Sequence, residues 1–396
     1  MKILYITLEN LSLQKGSVVH IKEIVAGLRR HGHEVGLIAR SSGDFHEVDF
    51  FQDIQYTVPF LSRFVDPVKQ SYFFSSLLLF VSLFRTLHRY DVVYGRDFHT
   101  VVIALLPRLL HRKKLVFEIN GLASEEVKLK GDTLLYRAFS KITEYAERIA
   151  TACSDLIVSV TPQLASHLVV HFRGSPRKMR IVGNGVNVER FHPFQDATLL
   201  TDWRKRLGIG DQEKVIVFVG NLAPWQGVDI LTESVLLLLS KGEGLKLLVV
   251  GDGLLKARLL AKVSDSGFGR HFIFTGMMGY DEIPALINIA DICVAPFISR
   301  RNRKTGVSPL KVFEYMACGK PVVASKIEGL EFIETEKIGR LVDPENPISL
   351  QNALLELLHE PERCKAMGQR GSQIAREKFS WESRSVEIER VLTELA

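Results

Sequence analysis

Two charged residues, Lys311 and Glu314, are the best candidates for chemistry because they stand three apart in a segment rich in helix-boundary residues. Those boundary residues are Ser308 for an N-cap, Pro309 for the first helical position, and Gly319 with Pro321 for the end. We predict a helix of about two to three turns with Lys311 and Glu314 on one face. That face fits a nucleotide-phosphate site in which Glu314 accepts a hydrogen bond from a sugar hydroxyl. It fits equally an exposed ion pair on an ordinary capped helix.

Apolar segments on both sides of this helix are typical of strands. They are residues 291–297 before it and 321–325 after it. In a parallel sheet, a helix that follows a strand begins at the carboxyl edge, where α/β proteins bind ligands and where free N–H groups favour an anion. The position of the helix is therefore compatible with a binding site.

Length and composition are those of an α/β protein with two cores. The chain has 396 residues, 46% of them hydrophobic, and four cysteines that lie far apart. Such cysteines suggest reduced thiols in a cytosolic compartment rather than a disulfide framework or a zinc site. Glu9 and Asn10 interrupt the apolar start of the chain, which favours a buried first strand over a signal peptide.

The most apolar segment, residues 72–84, is shorter than the about 20 residues that a membrane span needs. We expect a core helix there, with a helix partly exposed to lipid head groups as the alternative. Residues 1–190 hold 25 Lys and Arg against 18 Asp and Glu, a net of +7, whereas residues 191–396 hold 26 against 27, a net of −1. A basic first half suits an anionic membrane or lipid phosphate. Nucleic acid would fit the charge, but no binding motif supports it.

Apolar runs alternate with helical patterns along the chain, which predicts two mostly parallel sheets with right-handed crossovers. The predicted strands are 2–7, 34–39, 91–95, 114–118, 156–160, 178–182, 214–220, 246–251, 271–275, 291–297 and 321–325. A helix is predicted over 17–31, and the segment 187–212 resembles a hinge because it contains Pro193, Gly208 and Gly210. We predict domains at 1–190 and 191–377, with residues 378–396 crossing back to the first domain.

Glycine-containing turns follow four of the predicted strands, at 183–185, 220–221, 251–253 and 275–276. Each turn alone is an ordinary strand–helix connection, and none completes a dinucleotide fingerprint or a P-loop. Four such turns at the same edge of two sheets favour a nucleotide bound in a cleft between the domains.

Taken in order, these motifs resemble the retaining GT-B glycosyltransferases of family 4, in a Gly-x-Ser-Pro-Leu-Lys variant. The resemblance covers nearly the whole chain and rests on the segments 16–20, 94–97, 117–121, 182–187, 219–227, 250–253 and 306–314. It implies two Rossmann-like domains that face each other across a cleft. The first would bind the acceptor and the second a nucleotide-diphosphate sugar, with no metal and no cofactor in the active site.

The resemblance also assigns roles to donor-binding residues. Glu314 is similar to the glutamate that holds the nucleotide ribose, with a surface or capping carboxylate as the structural alternative. The loop before it would present backbone N–H groups to the sugar and diphosphate; its residues are Gly306, Val307, Ser308, Pro309 and Leu310. The other implied donor residues are Gly16 and Ser17 in the first domain, and Gly251 and Gly276 in the second.

Two departures from the family pattern, at three positions, lie in the second domain. Gly306 stands where a glutamate usually contacts the donor sugar, so the identity of the sugar does not follow from the motif. Asn221 and Gln226 take the places of an Arg and a Lys that neutralise the departing diphosphate, which needs such charges. We hypothesise that Lys311 replaces them together with one or more residues of a basic loop, Arg300, Arg301, Arg303 and Lys304. A solvated flexible loop is the alternative for that run.

A third departure is Asn120, where the family often has a histidine beside the reacting sugar. Asparagine is no general base, but retention in this family is thought to let the departing phosphate assist the incoming hydroxyl. Asn120 would then hold the sugar or the acceptor, or would merely shape the turn with Gly121. The remaining first-domain candidates would line the acceptor pocket; they are His20, Arg96, Asp97, His99 and Glu125.

These observations predict a metal-independent, retaining hexosyltransferase with Asn120, Lys311 and Glu314 as its catalytic candidates. The expected acceptor is a polysaccharide, a glycolipid or a lipid-linked glycan. The expected setting is the cytoplasm, with peripheral contact between the N-terminal domain and an anionic membrane. One alternative is a weak or inactive GT-B binding protein, which the absence of several motif residues suggests. The other is a nucleotide-sugar epimerase.

Overall fold

The computed structural model describes residues 1–11, 16–41, 56–59, 70–128, 131 and 133–395. The side chains of residues 41, 56–59, 70–75, 300, 301 and 303 lie outside the described part, so the predicted roles of Arg300, Arg301 and Arg303 do too. The chain forms two units: the first is Met1–Gly183 with Arg384–Ala396, and the second is Asn184–Ser383. The sequence predicts boundaries after residues 190 and 377, seven residues later and six residues earlier than these.

The described part of the first unit contains a seven-stranded parallel sheet in the order β3-β2-β1-β4-β5-β6-β7. Its strands are β1 (Lys2–Asn10), β2 (Glu34–Ser41), β3 (Tyr56–Pro59), β4 (Val92–Gly95), β5 (Lys114–Ile119), β6 (Leu156–Ser159) and β7 (Met179–Ile181). Its helices are α1 (Gly16–Arg30), α2 (Gln70–Thr86), α3 (Phe98–Leu110), α4 (Ala123–Lys128), α5 (Leu134–Cys153) and α6 (Pro162–Phe172). The strands are buried along most of their length because helices cover parallel sheets on both faces.

The second unit contains a six-stranded parallel sheet in the order β10-β9-β8-β11-β12-β13. Its strands are β8 (Lys214–Val219), β9 (Leu245–Val250), β10 (Phe272–Gly276), β11 (Ile292–Ala295), β12 (Val322–Ser325) and β13 (Gly339–Val342). Its helices are α7 (Ala197–Arg206), α8 (Val228–Ser240), α9 (Lys256–Asp265), α10 (Ile283–Asn288), α11 (Ser299–Thr305), α12 (Leu310–Ala317), α13 (Phe332–Thr335), α14 (Pro347–Leu358) and α15 (Pro361–Lys378). Two apolar cores cover the two faces of the sheet.

The last helix, α16 (Trp381–Thr393), starts in the second unit and ends in the first, as the prediction of a C-terminal crossing requires. Polar contacts hold its end on the first unit. Glu389 Oε2 lies 2.8 Å from His31 Nδ1, and Arg180 Nε donates to Glu394 Oε2 at 2.8 Å.

Three sequence predictions need correction. The patterns missed β3 and β13, which are both four-residue edge strands and therefore show little of the apolar pattern that marks central strands. The segment 187–212 is not a hinge, because it contains helix α7 and buries Phe191 and Ile209 in the core of the second unit. The run 300–304 is not a loop but most of helix α11, since Arg and Lys favour helices and no Gly or Pro occurs before Gly306.

The apolar segment 72–84 lies within α2. Leu79 and Leu83 are fully buried, as expected for a core helix, whereas Leu77 and Val81 are exposed. No helix within the described ranges is both long and apolar enough to cross a membrane.

Candidate functional site

The order of strands in the second sheet reverses between β8 and β11, because β9 and β10 lie on one side of this pair and β12 and β13 on the other. Open α/β sheets bind ligands at the carboxyl edge beside such a reversal. Helix α12 follows β11 and begins there, and the turn after β8 contributes Gly220 and Asn221. The topology therefore places the predicted donor residues at the part of the sheet best suited to a ligand.

Helix α12 begins at Leu310 and ends before Gly319, which adopts the left-handed conformation with φ 70°. The predicted N-cap is wrong, since Pro309 occupies that position and no side chain caps the helix. The hydroxyl of Ser308 instead accepts a hydrogen bond from the Asn184 N–H at 2.8 Å, and Asn184 Nδ2 donates to the Ser308 carbonyl at 2.7 Å. Asn184 thereby anchors the loop before α12 and leaves the first turn of the helix uncapped by side chains.

Lys311 occupies this first turn and points its ammonium group over the end of β8. Its Nζ lies 4.0 Å from the centroid of the Phe218 ring and 5.5 Å from that of Phe297, and it donates to Gln226 Oε1 at 2.8 Å. Burial lowers the pKa of Lys311 to about 7, a shift that Glu314 partly opposes. An ammonium group with aromatic rings and one neutral amide as its partners has the capacity to bind an anion.

Glu314 is 7% exposed, so the surface interpretation of this residue is wrong. It lies in a run of buried residues, 312–317, and its Oε1 accepts a hydrogen bond from the Tyr280 hydroxyl at 3.3 Å. Burial raises the pKa of Glu314 to about 7, although Tyr280 and Lys311 oppose the shift. Among the described hydrogen bonds, the Tyr280 hydroxyl is the one donor to this carboxylate, so its oxygens can accept further hydrogen bonds from a ligand.

A hydrogen bond between a strand backbone and a helix side chain fixes α12 against the sheet. The Val219 N–H, at the end of β8, donates to the Tyr315 hydroxyl at 2.8 Å. Tyr315 is fully buried, so this hydrogen bond sets the distance between the strand end and the helix. Tyr315, Tyr280 and Asn184 are functional candidates that the sequence analysis missed.

Gly306 adopts φ 65° and ψ −172°, a conformation that is essentially restricted to glycine. It ends α11, where its N–H donates to the Asn302 carbonyl at 2.8 Å. A glutamate at this position would be strained, so the departure from the family pattern follows from the way this chain joins α11 to the loop before α12.

The remaining second-unit candidates lie at the same sheet edge. Gly220 has φ 145°, and a Cβ there would lie 2.6 Å from Lys311 Nζ, so the turn after β8 leaves room for the ammonium group. Asn221 is exposed, Gln226 contacts Lys311, Gly251 follows β9 and Gly276 ends β10. Asn221 and Gln226 stand where the family pattern has an Arg and a Lys. Among the described hydrogen bonds, only Gln226 of these two contacts a charged side chain, that of Lys311.

The first sheet reverses its strand order between β1 and β4, and a buried polar cluster lies near that edge. Its centre is Glu118 near the end of β5, which is 1% exposed. Three polar neighbours approach its carboxylate: His20 Nε2 at 2.7 Å, Asn120 Nδ2 at 2.7 Å and the Tyr5 hydroxyl at 3.4 Å. Arg96 adds a more distant positive charge, its Nε lying 3.8 Å from Glu118 Oε1.

These neighbours determine the charge of Glu118. Burial by itself would raise its pKa, but His20, Arg96 and Asn120 outweigh burial and lower the pKa to about 2. The sequence analysis named His20, Arg96 and Asn120 but missed Glu118 and Tyr5, which join them. A charged residue inside the apolar strand 114–119 was the signal that could have pointed to Glu118.

The other first-unit candidates are not part of this cluster. Asp97 caps helix α3, accepting from the Thr100 N–H at 2.9 Å, and half-exposed His99 lies 3.9 Å from it. Glu125 on α4 accepts from Lys128 at 2.8 Å. Gly16 and Ser17 are the first two residues of α1, as predicted for a helix N-terminus.

Comparison with known families and proteins adds independent information. Residues 201–374 match the family described as Glycosyl transferases group 1, and residues 15–190 match Glycosyltransferase Family 4. An uncharacterized glycosyltransferase of Methanocaldococcus jannaschii is 25% identical over 375 residues, which are 93% of this chain and 91% of that protein.

A further relative is the D-inositol 3-phosphate glycosyltransferase of Segniliparus rotundus. It is 32% identical over 235 residues, which are 58% of this chain and 50% of that protein, so the match spans half the length of the relative. Among solved structures, HepE of Anabaena in complex with UDP-glucose superposes with a TM-score of 0.77 at 19% identity, covering 100% of both chains. At that identity the likeness shows that the two chains share a fold.

Proposed function

Since the chain belongs to the group 1 glycosyltransferases and has the GT-B fold, we propose that it transfers a sugar from a nucleotide-diphosphate sugar to an acceptor hydroxyl with retention of anomeric configuration. The second unit would bind the donor and the first the acceptor, and no metal ion would take part in the transfer. The acceptor would be a polysaccharide, a glycolipid or a lipid-linked glycan.

The observation that carries this proposal is the position of Lys311 and Glu314 together with the pKa shift of each. Both are ionisable, both lie at the ligand-binding edge of the second sheet, and burial moves the pKa of each to about 7. Such shifts mark groups whose charges are poorly compensated within the protein, and they concentrate at functional sites. A nucleoside diphosphate supplies what each lacks: phosphate oxygens for Lys311 and ribose hydroxyl donors for Glu314.

In the proposed step, an acceptor oxygen bonds to the anomeric carbon while the bond from that carbon to the β-phosphate oxygen breaks. The acceptor proton passes to the departing phosphate on the same face of the sugar, and the bonding electrons leave with the nucleoside diphosphate. Lys311 would stabilise the charge that develops on this group, and the N–H groups of Val307, Ser308 and Leu310 would add to it. Glu314 would hold the ribose and so fix the donor.

The polar cluster of the first unit would serve the acceptor. Glu118 engages the amide nitrogen of Asn120, so this side chain is held in one orientation rather than free to rotate. Asn120, His20 and Arg96 would bind acceptor or sugar hydroxyls from this fixed arrangement. Asp97, His99 and Glu125 would stand further out and would contact the acceptor rather than the reacting atoms.

Similar proteins support parts of this proposal. The relative from Segniliparus is a D-inositol 3-phosphate glycosyltransferase, and the HepE structure contains UDP-glucose. We propose a nucleotide sugar as donor for this chain as well. The excess of positive charge in residues 1–190 supports an acceptor or surface that is anionic, and we propose that the enzyme works in the cytoplasm at the inner face of a membrane.

Donor hydrolysis with a panel of UDP, GDP and ADP sugars tests the proposal. One donor should be hydrolysed slowly by the wild type and about 100-fold more slowly by Glu314→Gln, while the exposed control Glu362→Gln keeps wild-type activity. Proton NMR of the first glycoside formed with membrane acceptors would give its anomeric configuration. Nucleotide binding without hydrolysis or transfer of any donor would instead favour the inactive binding protein, and inversion would exclude the retaining mechanism.

A further inference from the structure

Helix α5 of the first unit exposes an apolar face that neither the sequence analysis nor the proposed reaction explains. Six of its large side chains have between 37% and 84% of their surface open to solvent; they are Leu134, Leu135, Tyr136, Phe139, Ile142 and Tyr145. The opposite side of the helix is buried, with Ser140, Thr143, Glu147 and Ala150 facing the unit. Helix α5 is thus amphipathic, with a second apolar face turned outward.

The first unit exposes more apolar side chains than the second. Within the described residues, fourteen exposed large hydrophobic side chains lie in the first unit and five in the second. Leu106, Leu109 and Leu110 of α3 are among them, but they lie towards the other end of α5, where Arg108 donates to the Cys153 carbonyl at 3.0 Å. Single exposed apolar residues are ordinary, whereas six within residues 134–145 of one helix mark a surface that binds something.

Charge indicates what that partner is. Arg137, Lys141 and Arg148 are all exposed and, at spacings of four and seven, form a row beside the apolar face. Among them, Arg148 pairs with Glu144 on the same helix. A row of basic side chains beside apolar and tyrosine side chains matches the boundary between lipid head groups and acyl chains.

We propose that the outer face of α5 docks on a membrane that contains anionic lipid. The apolar face, which comprises the six exposed α5 residues, enters the head-group region, and Arg137 and Lys141 bind lipid phosphates. This inference rests on the proposed function for its biological purpose, since it brings the first unit to a lipid-linked acceptor. It differs from the sequence analysis, which expected a core helix at residues 72–84 and gave lipid contact there as the alternative.

A buried connection joins this surface to the polar cluster around Glu118. Glu147, on the inner side of α5, accepts hydrogen bonds from the Ala123 N–H at 2.7 Å and the Ser124 hydroxyl at 2.6 Å. Both donors lie at the start of α4, three and four residues after Asn120. A membrane that holds α5 therefore also fixes the position of the strand end that carries Asn120.

Vesicle flotation of the full chain tests the proposal. The wild type should bind vesicles of phosphatidylcholine with 30% phosphatidylglycerol and lose most of this binding with phosphatidylcholine alone. Phe139→Ser with Ile142→Ser, and separately Arg137→Gln with Lys141→Gln, should each weaken binding about tenfold. The matched control Leu199→Ser with Ile348→Ser replaces exposed apolar residues of the second unit and should bind like the wild type.

Several outcomes would overturn the proposal. They are equal binding by wild type and both α5 variants, loss of binding in the second-unit control, and a wild-type dimer that the Phe139 and Ile142 changes dissolve without any vesicle binding. Donor hydrolysis in vesicle-free solution should be unchanged by the α5 variants, which shows that they are folded. Absence of hydrolysis with every donor would count against the proposed reaction, while the vesicle result would still decide the docking surface.

Discussion

Glu118 in the first unit and Glu314 in the second are both buried carboxylates near the carboxyl edge of a parallel sheet, yet their surroundings differ. Glu118 has His20, Asn120 and Tyr5 within 3.4 Å, and its pKa falls to about 2. Glu314 has the Tyr280 hydroxyl at 3.3 Å, and burial raises its pKa to about 7. The first carboxylate is satisfied within the protein, and the second has few donors of its own.

This difference separates two uses of a buried charge. A buried carboxylate with several donors holds its neighbours in place, because removing it would leave them unpaired. A buried carboxylate with one weak donor raises the free energy of the empty protein and gains more when a ligand supplies the missing donors. The charge of Lys311 is poorly compensated in the same way as that of Glu314, since its described partners are one amide and two aromatic rings.

The largest effect should follow from Glu118→Gln. Loss of this charge leaves His20 and Arg96 buried without their carboxylate, so the first unit should lose about 3 kcal/mol of stability, measured by urea unfolding followed by circular dichroism. The control Glu125→Gln removes an ion pair that is half exposed and should change stability by less than about 1 kcal/mol. Equal stability of Glu118→Gln and the wild type would show that the cluster does not depend on the charge.

The pH dependence of this loss has a definite sign. The pKa of Glu118 in the folded protein, about 2, lies below the ordinary glutamate value. Its stabilising contribution is therefore complete above the unfolded pKa of about 4.3 and is lost as the pH falls towards 2. The difference between Glu118→Gln and the wild type should shrink over that acid range.

Glu314→Gln should act in the opposite direction on stability. The raised pKa of about 7 means that the folded protein binds a proton more tightly than the unfolded chain, so the contribution of Glu314 to stability falls as the pH rises from about 4.3 to 7. Without nucleotide at pH 8, the variant should be more stable than the wild type by about 2 kcal/mol, while donor kcat/KM falls about 100-fold. Thermal melting and donor kinetics measure the two effects. A destabilised variant would place Glu314 in the same class as Glu118.

The contrast also explains which features the sequence could predict. Apolar runs and helix-boundary residues predicted most central strands, because buried parallel strands have a continuous apolar pattern. They predicted the end of α12 at Gly319 but not its start, since the partner that engages Ser308 is Asn184, 124 residues away in the chain. A local sequence pattern cannot show that a distant residue will bind the Ser308 hydroxyl and so prevent it from capping the helix.

The same reasoning applies to the two carboxylates. Glu314 was found because helix-boundary residues and Lys311 surround it, and the resemblance then gave it a role. Glu118 also lies in a segment that carries the resemblance, but the pattern of its strand is apolar and gave it no role. Only the strand order β1-β4-β5 brings Tyr5 and Arg96 to Glu118, and α1 adds His20. The pKa of each carboxylate depends on contacts between distant parts of the chain. The sequence therefore predicted neither the many hydrogen-bond donors of Glu118 nor the few donors of Glu314.

Lys311 offers a sharper test of the unsatisfied site. At pH 8 an ammonium group with a pKa of about 7 is mostly neutral, and a bound diphosphate should raise that pKa, so binding should take up close to one proton. Calorimetry of UDP, GDP and ADP binding in buffers of different ionisation enthalpy measures this uptake. Lys311→Met should remove the uptake and weaken binding about 30-fold. The control Lys262→Met removes an ammonium group that pairs with Glu233, and it should leave the proton uptake and the binding affinity unchanged. Binding without proton uptake in the wild type would show that Lys311 is already charged.

The smallest effect should come from the basic residues of α11. Arg300, Arg301 and Arg303 lie on a helix of seven residues that ends at Gly306, whereas Lys311 belongs to the first turn of the helix that faces the proposed diphosphate. Replacing all three by glutamine should raise donor KM about threefold at 50 mM salt and hardly at all at 500 mM, because we expect them to act on the diphosphate by long-range attraction, which salt screens. The effect of Lys311→Met should persist at both salt concentrations, since Lys311 is half-buried and partial burial limits screening. If the triple variant loses more donor affinity than Lys311→Met at high salt, helix α11 rather than Lys311 replaces the missing cations, and the unsatisfied charges of the second unit would have a different role from the one proposed.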